Sequence, residues 1–461
     1  MGIDGHQEVE MALVELARET GEPRYLEQAR YFLEARGRGL LGSHLEEPDH
    51  GLLWGGMFGP EYFQDHAPFR DLDGMAGHAV RALYYTCGIT DLYLEEGDPT
   101  LLRTLSRLFD AMVSRRAYVT GGLGARHEGE AFGQDYELPN ARAYTETCAA
   151  VASMMWCHRM LAATADARYA DLFETTLYNA LLPAWSLDGS RYFYVNPLQD
   201  RGGHRRQPWQ RCACCPPNVA RTLAALPGYL YGTTPDALYV HHYAQGVVRA
   251  HLAGTPVEVV QRTRYPWDGR VELEVRGAGE FAVLLRIPSW CSGARIRVQG
   301  APAAVVPEPG KYAELRRTWK PGQKIELELD MPVRLLESHP HLLENAGRVA
   351  LARGPLLYCV EGTDHPGIDL LDLEVDLGDP LEVAWEPDRL GGVVSLRGRG
   401  EVRAPGEGWS GKLYRPVATP RRAGSAVPFT AIPYFAWGNR EPGPMQVWLG
   451  ALDRSRNRPL K

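Results

Sequence analysis

Hydrophobic positions recur at helical spacing through the first half of the chain and at alternate positions through most of the second. In residues 6–36, His6, Val9, Leu13, Leu16 and Ala17 make one stripe, which Gly21-Glu22-Pro23 ends. Pro23 opens a second stripe through Tyr25, Leu26, Ala29, Tyr31, Phe32 and Leu33, since proline fits the first turn of a helix. Residues 37–70, rich in glycine, proline and aromatics, read as loop. The stripe returns over 73–95 with His78, Val80, Ala82, Leu83, Tyr85 and Leu92. Gly97-Asp98-Pro99 breaks it, and a further helix runs to about Arg115. Past an irregular stretch at 116–141, a helix over 142–164 joins another over 168–184 through Ala165-Asp166-Ala167. These are three helical hairpins, each with a tight inner turn, separated by long polar loops, and together they form an internal repeat.

Six such hairpins close into an (α/α)6 toroid with the long loops around a central pocket. Three of them, with one more helix after residue 215, predict a partial toroid. A half ring leaves apolar inner faces uncovered. The pattern therefore predicts a preceding N-terminal segment, because Met1 directly adjoins the helix that carries His6. A smaller helical layer, or a homodimer in which a second copy completes the ring, are the alternatives.

From Tyr192 the period becomes two. The expected strands are 191–195, 237–242, 247–252, 257–263, 271–276, 281–286, 295–298, 324–329 and 349–360, punctuated by Gly, Pro and Asp. Residues 361–425 carry a weaker signal, and aromatic strands return over 429–449. The reading is a multidomain chain, α then β. A helical domain over 1–232 is followed by a β-sandwich over 233–340 and a second over 341–461.

Composition narrows the function. A net charge of -7 with interspersed signs argues against a nucleic-acid partner. The basic clusters Arg201, His204, Arg205, Arg206, Arg211 and Arg421, Arg422 read as solvated faces. No apolar run reaches membrane-spanning length and no signal-peptide pattern is present, so neither a membrane nor export is expected. Thiols gathered near a metal suit a reducing compartment, and a cytoplasmic location is the expectation.

The chemistry gathers in Arg211-Cys212-Ala213-Cys214-Cys215-Pro216-Pro217-Asn218, which holds three of the eight cysteines. The two prolines place this knot at a helix N-terminus, where the helix dipole and free N–H groups favour thiolates. Adjacent thiolates repel, so they need a cation or a disulfide. Soft ligands point to zinc. A fourth ligand comes from Tyr144-Thr145-Glu146-Thr147-Cys148, and with two knot cysteines a tetrahedral site of three sulfurs and one oxygen can be built. One ion can reach both Glu146 and Cys148 only if the helix start is irregular. Such a site can be reactive, because its excess negative charge keeps the sulfur electron-rich, or it can simply staple loops together. A vicinal-disulfide redox protein is a third reading, which the Glu146-Thr147-Cys148 pair argues against.

Other candidates are Glu128 and Glu130 in His127-Glu128-Gly129-Glu130-Ala131-Phe132, as a general acid/base or as ordinary loop carboxylates. His6 and His78 each stand at the start of a hairpin, as core residues or on a pocket wall, and Tyr194 is a packing ring or a pocket hydroxyl. Cys87, Cys157, Cys291 and Cys359 sit in apolar stretches as packed thiols.

Cys-Ala-Cys-Cys-Pro-Pro-Asn, Thr-Glu-Thr-Cys, Gly-Glu-Ala-Phe, Gly-His-Ala-Val-Arg and Gly-His-Gln-Glu together resemble glycoside hydrolase family 127, the β-L-arabinofuranosidases, over nearly the whole chain. The resemblance implies an (α/α)6 barrel followed by two β-sandwiches, and an oligosaccharide or glycoside substrate. It implies zinc on Glu146, Cys148, Cys214 and Cys215. It implies Cys214 as nucleophile and Glu130, sixteen positions before Glu146 (146 − 130), as acid/base. His6, His78, Tyr194 and Cys212 match substrate-pocket positions. A retaining acid/base must begin protonated, so a raised Glu130 pKa is expected. Family members differ in the sugar released, so a related glycosidase for another furanosidic sugar is one alternative. A non-catalytic carbohydrate-binding or scaffold protein with a structural zinc is another.

Overall fold

The structure, a computed structural model, describes residues 2–40, 59–403, 409, 411–416 and 424–452. Part of the expected 37–70 loop and the Arg421, Arg422 pair lie outside these residues. The helices are α1 (Val9–Thr20), α2 (Pro23–Ala35), α3 (Ala79–Glu96), α4 (Pro99–Arg115), α5 (Thr147–Thr164), α6 (Ala167–Thr176) and α7 (Cys215–Ala225).

Each expected hairpin forms: α1 packs on α2, α3 on α4 and α5 on α6. The first helix of each hairpin also packs on the first helix of the next, giving an inner row α1, α3, α5, α7. Position in that row explains the burial pattern. Helix α4 shows one apolar face, with Leu101, Leu105, Leu108 and Met112 buried. Helices α3 and α5 are enclosed on nearly all sides, including Thr86, Thr90 and Ser153. Glycine or alanine in left-handed geometry ends α1, α3 and α5 (Gly21, Gly97, Ala165).

Three helix bounds differ from expectation. Helices α3 and α5 begin at Ala79 and Thr147, not at 73 and 142, because His78 and Glu146 take extended backbone as caps. Helix α6 ends at Thr176, and a wide turn over Leu177–Leu181 follows before Pro183. Proline cannot supply the next helical N–H and clashes with the preceding turn.

Past α7, two antiparallel-rich sheets share one core. A five-stranded sheet runs in the order Gly246–Leu252, Thr255–Thr263, Arg270–Arg276, Gln323–Leu329, Ala294–Val298. A four-stranded sheet runs Tyr231–Thr234, Ala237–Val240, Gly279–Ile287, Lys311–Trp319. Val259, Leu273, Ile296 and Ile325 of the first meet Leu238, Val283, Leu285 and Trp319 of the second. The Lys311–Trp319 strand was not expected, because Glu314, Arg316 and Arg317 interrupt its alternation.

The remaining strands make one ten-stranded sheet. The expected single strand over 349–360 is two, Arg348–Arg353 and Leu356–Glu361, turned at Gly354-Pro355. Side chains of Leu356–Glu361 alternate between faces. Leu356, Tyr358 and Val360 join a cluster with Leu373, Leu396 and Phe429. Leu357 and Cys359 face Tyr118, Ala125, Leu138, Ala143, Phe193 and Leu198 from the loops of the helical part. The sheet is thus the backing for those loops.

The expected strand 191–195 forms no ladder. Tyr192 instead bridges singly to Trp185 and Gln207, and Val195 to Glu146. Its side chains explain this: Phe193 stacks on Trp437 (5.0 Å) under the Arg206 guanidinium (4.2 Å), which ties the segment to the C-terminal sheet. Pro197 O accepts from Tyr434 OH (2.8 Å), and Gln199–Asp200 pairs with Met445–Gln446.

No helix among the described residues is long and apolar enough to cross a membrane.

Candidate active site

The starts of the four inner helices converge, and each brings chemistry. His6 precedes α1, His78 caps α3, Glu146 caps α5 with Cys148 one residue inside it, and Cys214 caps α7 with Cys215 as its first residue. Unpaired N–H groups and the positive ends of the dipoles point toward the same place, which favours anions there.

The irregular start required of α5 is present. Thr145 has φ +37, and its N–H donates to Gly124 O at 2.8 Å while its hydroxyl bonds Asn196 O. This kink lets Glu146, still outside the helix, and Cys148, inside it, reach one point. Cys148 Sγ lies 3.3 Å from Cys215 Sγ, and Cys214 Sγ lies 3.6 Å from Cys215 Sγ. Glu146 Oε1 lies 3.8 Å from Cys214 Sγ and 4.0 Å from Cys215 Sγ. The sulfurs are too far apart for disulfides, whose bond is about 2.05 Å. Ligand atoms of Glu146, Cys148, Cys214 and Cys215 all lie within 4.8 Å of one another. Glu146 Oε2 is buried without a protein partner. Four acidic groups this close cannot all ionise unaided. Hydrogen bonds from Cys148 and Cys215 hold Cys214 as the thiolate of the set, and burial pushes Glu146 and Cys215 well up. A metal ion is what would let the set ionise together.

Glu130 stands beside this cluster, its carboxylate oxygen within 4.8 Å of those of His78 and Glu146 taken as one group. It sits at φ +51 at the end of a tight turn that needs Gly129 at φ +72, and Ala131 bridges to both His78 and Arg126. His78 Nδ1 accepts the Arg81 N–H (3.4 Å), which leaves the proton on Nε2, 3.0 Å from Glu130 Oε2. Tyr144 OH donates to Glu130 Oε1 (2.7 Å), and Tyr194 OH reaches the same oxygen (3.4 Å).

The expected raised pKa of Glu130 is therefore reversed. Burial is the largest single cause and raises it, but the hydrogen bonds from His78 and Tyr144 outweigh burial and hold the carboxyl below its ordinary value.

Tyr194 also lies close enough to Glu146 and Cys214 to feel their charge, so its hydroxyl adjoins both halves of the site. Burial and these anions push its own pKa up. Cys212 is exposed and hydrogen-bonded to Cys214. The His6 ring lies 6.4 Å from that of His78, and desolvation, Arg81 and His78 push it down to about 4. Of the candidate pocket and metal residues, His6, His78, Glu130, Glu146, Cys148, Tyr194, Cys212, Cys214 and Cys215 come together, while Glu128 is 73% exposed and pairs with Arg142 (3.1 Å).

Three neighbours carry no role in the sequence reading. Tyr144 holds Glu130. Asn218 donates its amide to Cys148 Sγ at 3.0 Å. Tyr62 packs edge-on against His78 (5.2 Å) beneath Arg81. Tyr144 and Asn218 stand inside the quoted motifs and had that signal; Tyr62 falls in the featureless loop and had none.

A carboxylate and a thiolate facing one opening, with hydroxyls and imidazoles around it and β-domains behind, make the equipment of a glycoside hydrolase. Residues 1–228 match the β-L-arabinofuranosidase GH127 catalytic domain, 237–331 the GH127 middle domain and 333–450 the glycoside hydrolase family 127 C-terminal domain. The chain is 37% identical to the non-reducing end β-L-arabinofuranosidase of Bifidobacterium longum subsp. longum, over 97% of this chain and 71% of that enzyme. It superposes with a TM-score of 0.90 at 40% identity on a GH127 β-L-arabinofuranosidase from Geobacillus stearothermophilus T6, covering 98% of this chain and 73% of that one. A GH127 β-arabinofuranosidase of known structure gives 0.87 at 35% identity, covering 99% and 70%. The chain belongs to glycoside hydrolase family 127.

Proposed function

We propose that the chain is a retaining exo-glycosidase that releases L-arabinofuranose from β-L-arabinofuranosides of plant-derived glycans. Cys214 is the nucleophile, Glu130 the acid/base, and zinc the metal of the Glu146, Cys148, Cys214 and Cys215 set. The observation that carries this reading is that Cys214 is one of four acidic donors, with Glu146, Cys148 and Cys215, gathered within 4.8 Å of one another, and that Glu146 Oε2 among them has no protein partner. Glu146, Cys148, Cys214 and Cys215 would hold the ion: sulfur–sulfur separations of 3.3 and 3.6 Å and oxygen–sulfur separations of 3.8 and 4.0 Å put the donors within reach of one ion.

Cys214 Sγ attacks the anomeric carbon as the bond to the leaving oxygen breaks, and Glu130 gives that oxygen its proton. Glu130 then takes a proton from water, the water oxygen bonds to the anomeric carbon, and the thiolate departs. Bound zinc supplies charge stabilisation for a thiolate that leaves a sugar reluctantly. Glu130 is ionised in the free site and has to gain its proton. A sugar covering its side chain, 33% exposed, adds to the burial that already raises its pKa. Tyr194, between Glu130 and Cys214, orients both through one hydroxyl. His6, His78 and Cys212 line the sugar's side of the mouth.

The same proposal includes an (α/α)6 toroid for the helical part, supported by the inner row of helices, and β-sandwich domains behind it. The border between the two β domains is placed near residue 332 rather than at the expected 340/341, a shift supported by the pairing of Val333–Leu336 with Arg348–Arg353. A cytoplasmic setting, in which the eight cysteines stay reduced, completes it.

The test is nitrophenol release from p-nitrophenyl β-L-arabinofuranoside by the purified chain, its Cys214→Ser variant and its Glu130→Gln variant, with zinc content measured alongside. Turnover by the parent and loss in both variants at full zinc is the expected result. Parent-level turnover in Cys214→Ser with zinc retained removes the nucleophile. Sugar binding without turnover, with Glu130→Gln silent, favours a non-catalytic carbohydrate-binding protein.

A further inference from the structure

A second opening adjoins the acid/base turn and is not used by the chemistry above. It is a cleft of about 460 Å³, within the roughly 300–1,000 Å³ range of small-molecule sites. Two parts of the chain line it: the Arg126–Glu128 turn that leads into Glu130, together with Tyr136 and Arg142, and the segment of His341 and Glu344. The two are fastened together. Asn140 N donates to Glu344 Oε2 and Asn140 Nδ2 to Asn345 Oδ1, each at 2.7 Å. This rigid seam lies between the helical part and the C-terminal sheet.

The lining sets the rings of His127, Tyr136 and His341 and several charged groups among apolar residues such as Leu138, Pro139 and Leu342. Tyr136 stacks on His339 at 4.5 Å with 16° between planes, and His341 meets Tyr136 edge-on at 5.2 Å. Tyr136 is held at φ +65, a strained backbone of a kind that gathers at functional sites. Its N–H is anchored on Arg115 O at 2.9 Å. Both arginines are already neutralised, Arg126 by Glu137 (2.5 Å) and Arg142 by Glu128 (3.1 Å). Among the described residues its arginines are paired with carboxylates, so the cleft offers rings and paired donors and acceptors, which suits a neutral polyhydroxyl ligand rather than a phosphate or an acidic peptide. One edge of it is the catalytic wall. His127 packs on Tyr144 (4.9 Å), whose hydroxyl donates to Glu130.

We propose that this seam cleft binds the leaving-group side of the substrate, namely the neutral sugar units beyond the scissile bond. The inference rests on the glycosidase reading, since the leaving oxygen must lie at Glu130 and the rest of the glycan must pass its exposed side. Units bound there supply binding energy remote from the reacting bond, and that energy is expressed in the transition state.

The test compares kcat/KM for the parent, Tyr136→Ala and His341→Ala on methyl β-L-arabinofuranoside and on a β-L-arabinofuranosyl trisaccharide. The expected result is a loss of about tenfold on the trisaccharide, as for a truncated contact residue, and unchanged turnover of the methyl glycoside. Equal losses on both substrates, or no loss on either, overturn the cleft. Saturation-transfer NMR of the trisaccharide on the same three proteins decides the matter even if the parent turns over neither substrate. Weakened transfer to the reducing-end units in the variants upholds the cleft, while identical transfer overturns it. Absent turnover by the parent counts against the glycosidase reading alone.

Discussion

Asn218 offers the sharpest test of the metal reading, because its side chain has one visible task. It is the fourth residue of α7, 9% exposed, and its amide donates to Cys148 Sγ at 3.0 Å. Its backbone is occupied separately: the N–H bonds Cys214 O, and the carbonyl accepts Thr222 Oγ1. Asn218→Ala removes only the side-chain bond and leaves the helix start in place. A hydrogen bond to an ionised acceptor contributes about 1.5–3 kcal/mol. At 1.36 kcal/mol per decade, that corresponds to roughly a 10- to 100-fold weaker metal. The same span is typical when an outer hydrogen bond to a metal ligand is lost, about 10–100-fold. The assay is competition for zinc against a chromophoric chelator, with the sulfur-to-metal charge-transfer band of the cobalt form as an independent readout. Protons compete for Cys148, so metal is released as pH falls. The variant, whose thiolate is less well stabilised, releases it at higher pH than the parent. A zinc affinity within twofold of the parent, with the cobalt band and release pH unmoved, refutes the argument and leaves Asn218 as packing.

Tyr144→Phe removes one of the hydrogen bonds that hold Glu130 below its ordinary pKa, so that pKa rises. The acid form is the active one, so the high-pH limb of kcat/KM belonging to Glu130 moves upward; a downward move counts against the assignment. Gly77→Ala places a Cβ on the Glu61 carbonyl at φ +69, immediately before His78, and kcat should fall with a lower unfolding midpoint. Full kcat at parental stability would show that His78 does not depend on this turn. Arg286, fully buried, ties Asp171 and Glu174 of α6 to the middle-domain strand Gly279–Ile287. Arg286→Ala strands Glu174 as an uncompensated buried charge and should cost about 3–5 kcal/mol in denaturant unfolding. A cost below about 1 kcal/mol would mean that the pair is solvated.

The sequence was most readable where one local rule governed. Helical stripes located the three hairpins because their interiors face one core, and Gly21 and Gly97 marked stops by taking left-handed backbone. Middle-domain strands such as Arg270–Arg276 were readable because burial alternates along them. The misses came where tertiary packing overrides period. Residues 191–195 alternate like a strand, yet Phe193 is spent on Trp437 and Tyr194 on the active site. Strand Val393–Val402 lay in the weak 361–425 stretch because glycines at 398 and 400 erase its pattern where Phe429 and the Glu374 backbone approach closely. The site was legible as a set of residue types, but the sign of the Glu130 shift was not. That sign depends on which atoms of His78 and Tyr144 face the carboxylate, and nothing in the sequence specifies it.

The arrangement also explains why a repeat architecture suits this chemistry. One hairpin presents one helix start, and one helix start stabilises an anion only modestly, by about 0.3–1 kcal/mol where exposed. Aligning α1, α3, α5 and α7 side by side brings four such ends to one mouth, and the acidic groups Glu146, Cys148, Cys214 and Cys215 stand on two of them. Burial, with their mutual repulsion, would protonate most of the set, in line with the raised Glu146 and Cys215. Helix ends therefore do not suffice to keep several anions together, and on the proposed reading a divalent ion would supply the counter-charge. Glu130 feels the same charges, but His78 and Tyr144 offset them. It hangs from a loop, takes its hydrogen bonds from His78 and Tyr144, and leaves a third of its side chain open to the substrate. On the proposed reading, cluster and loop carboxylate would then titrate apart, one fixed by metal and the other moved by the sugar that covers it. A nucleophile and an acid/base need that separation to work side by side.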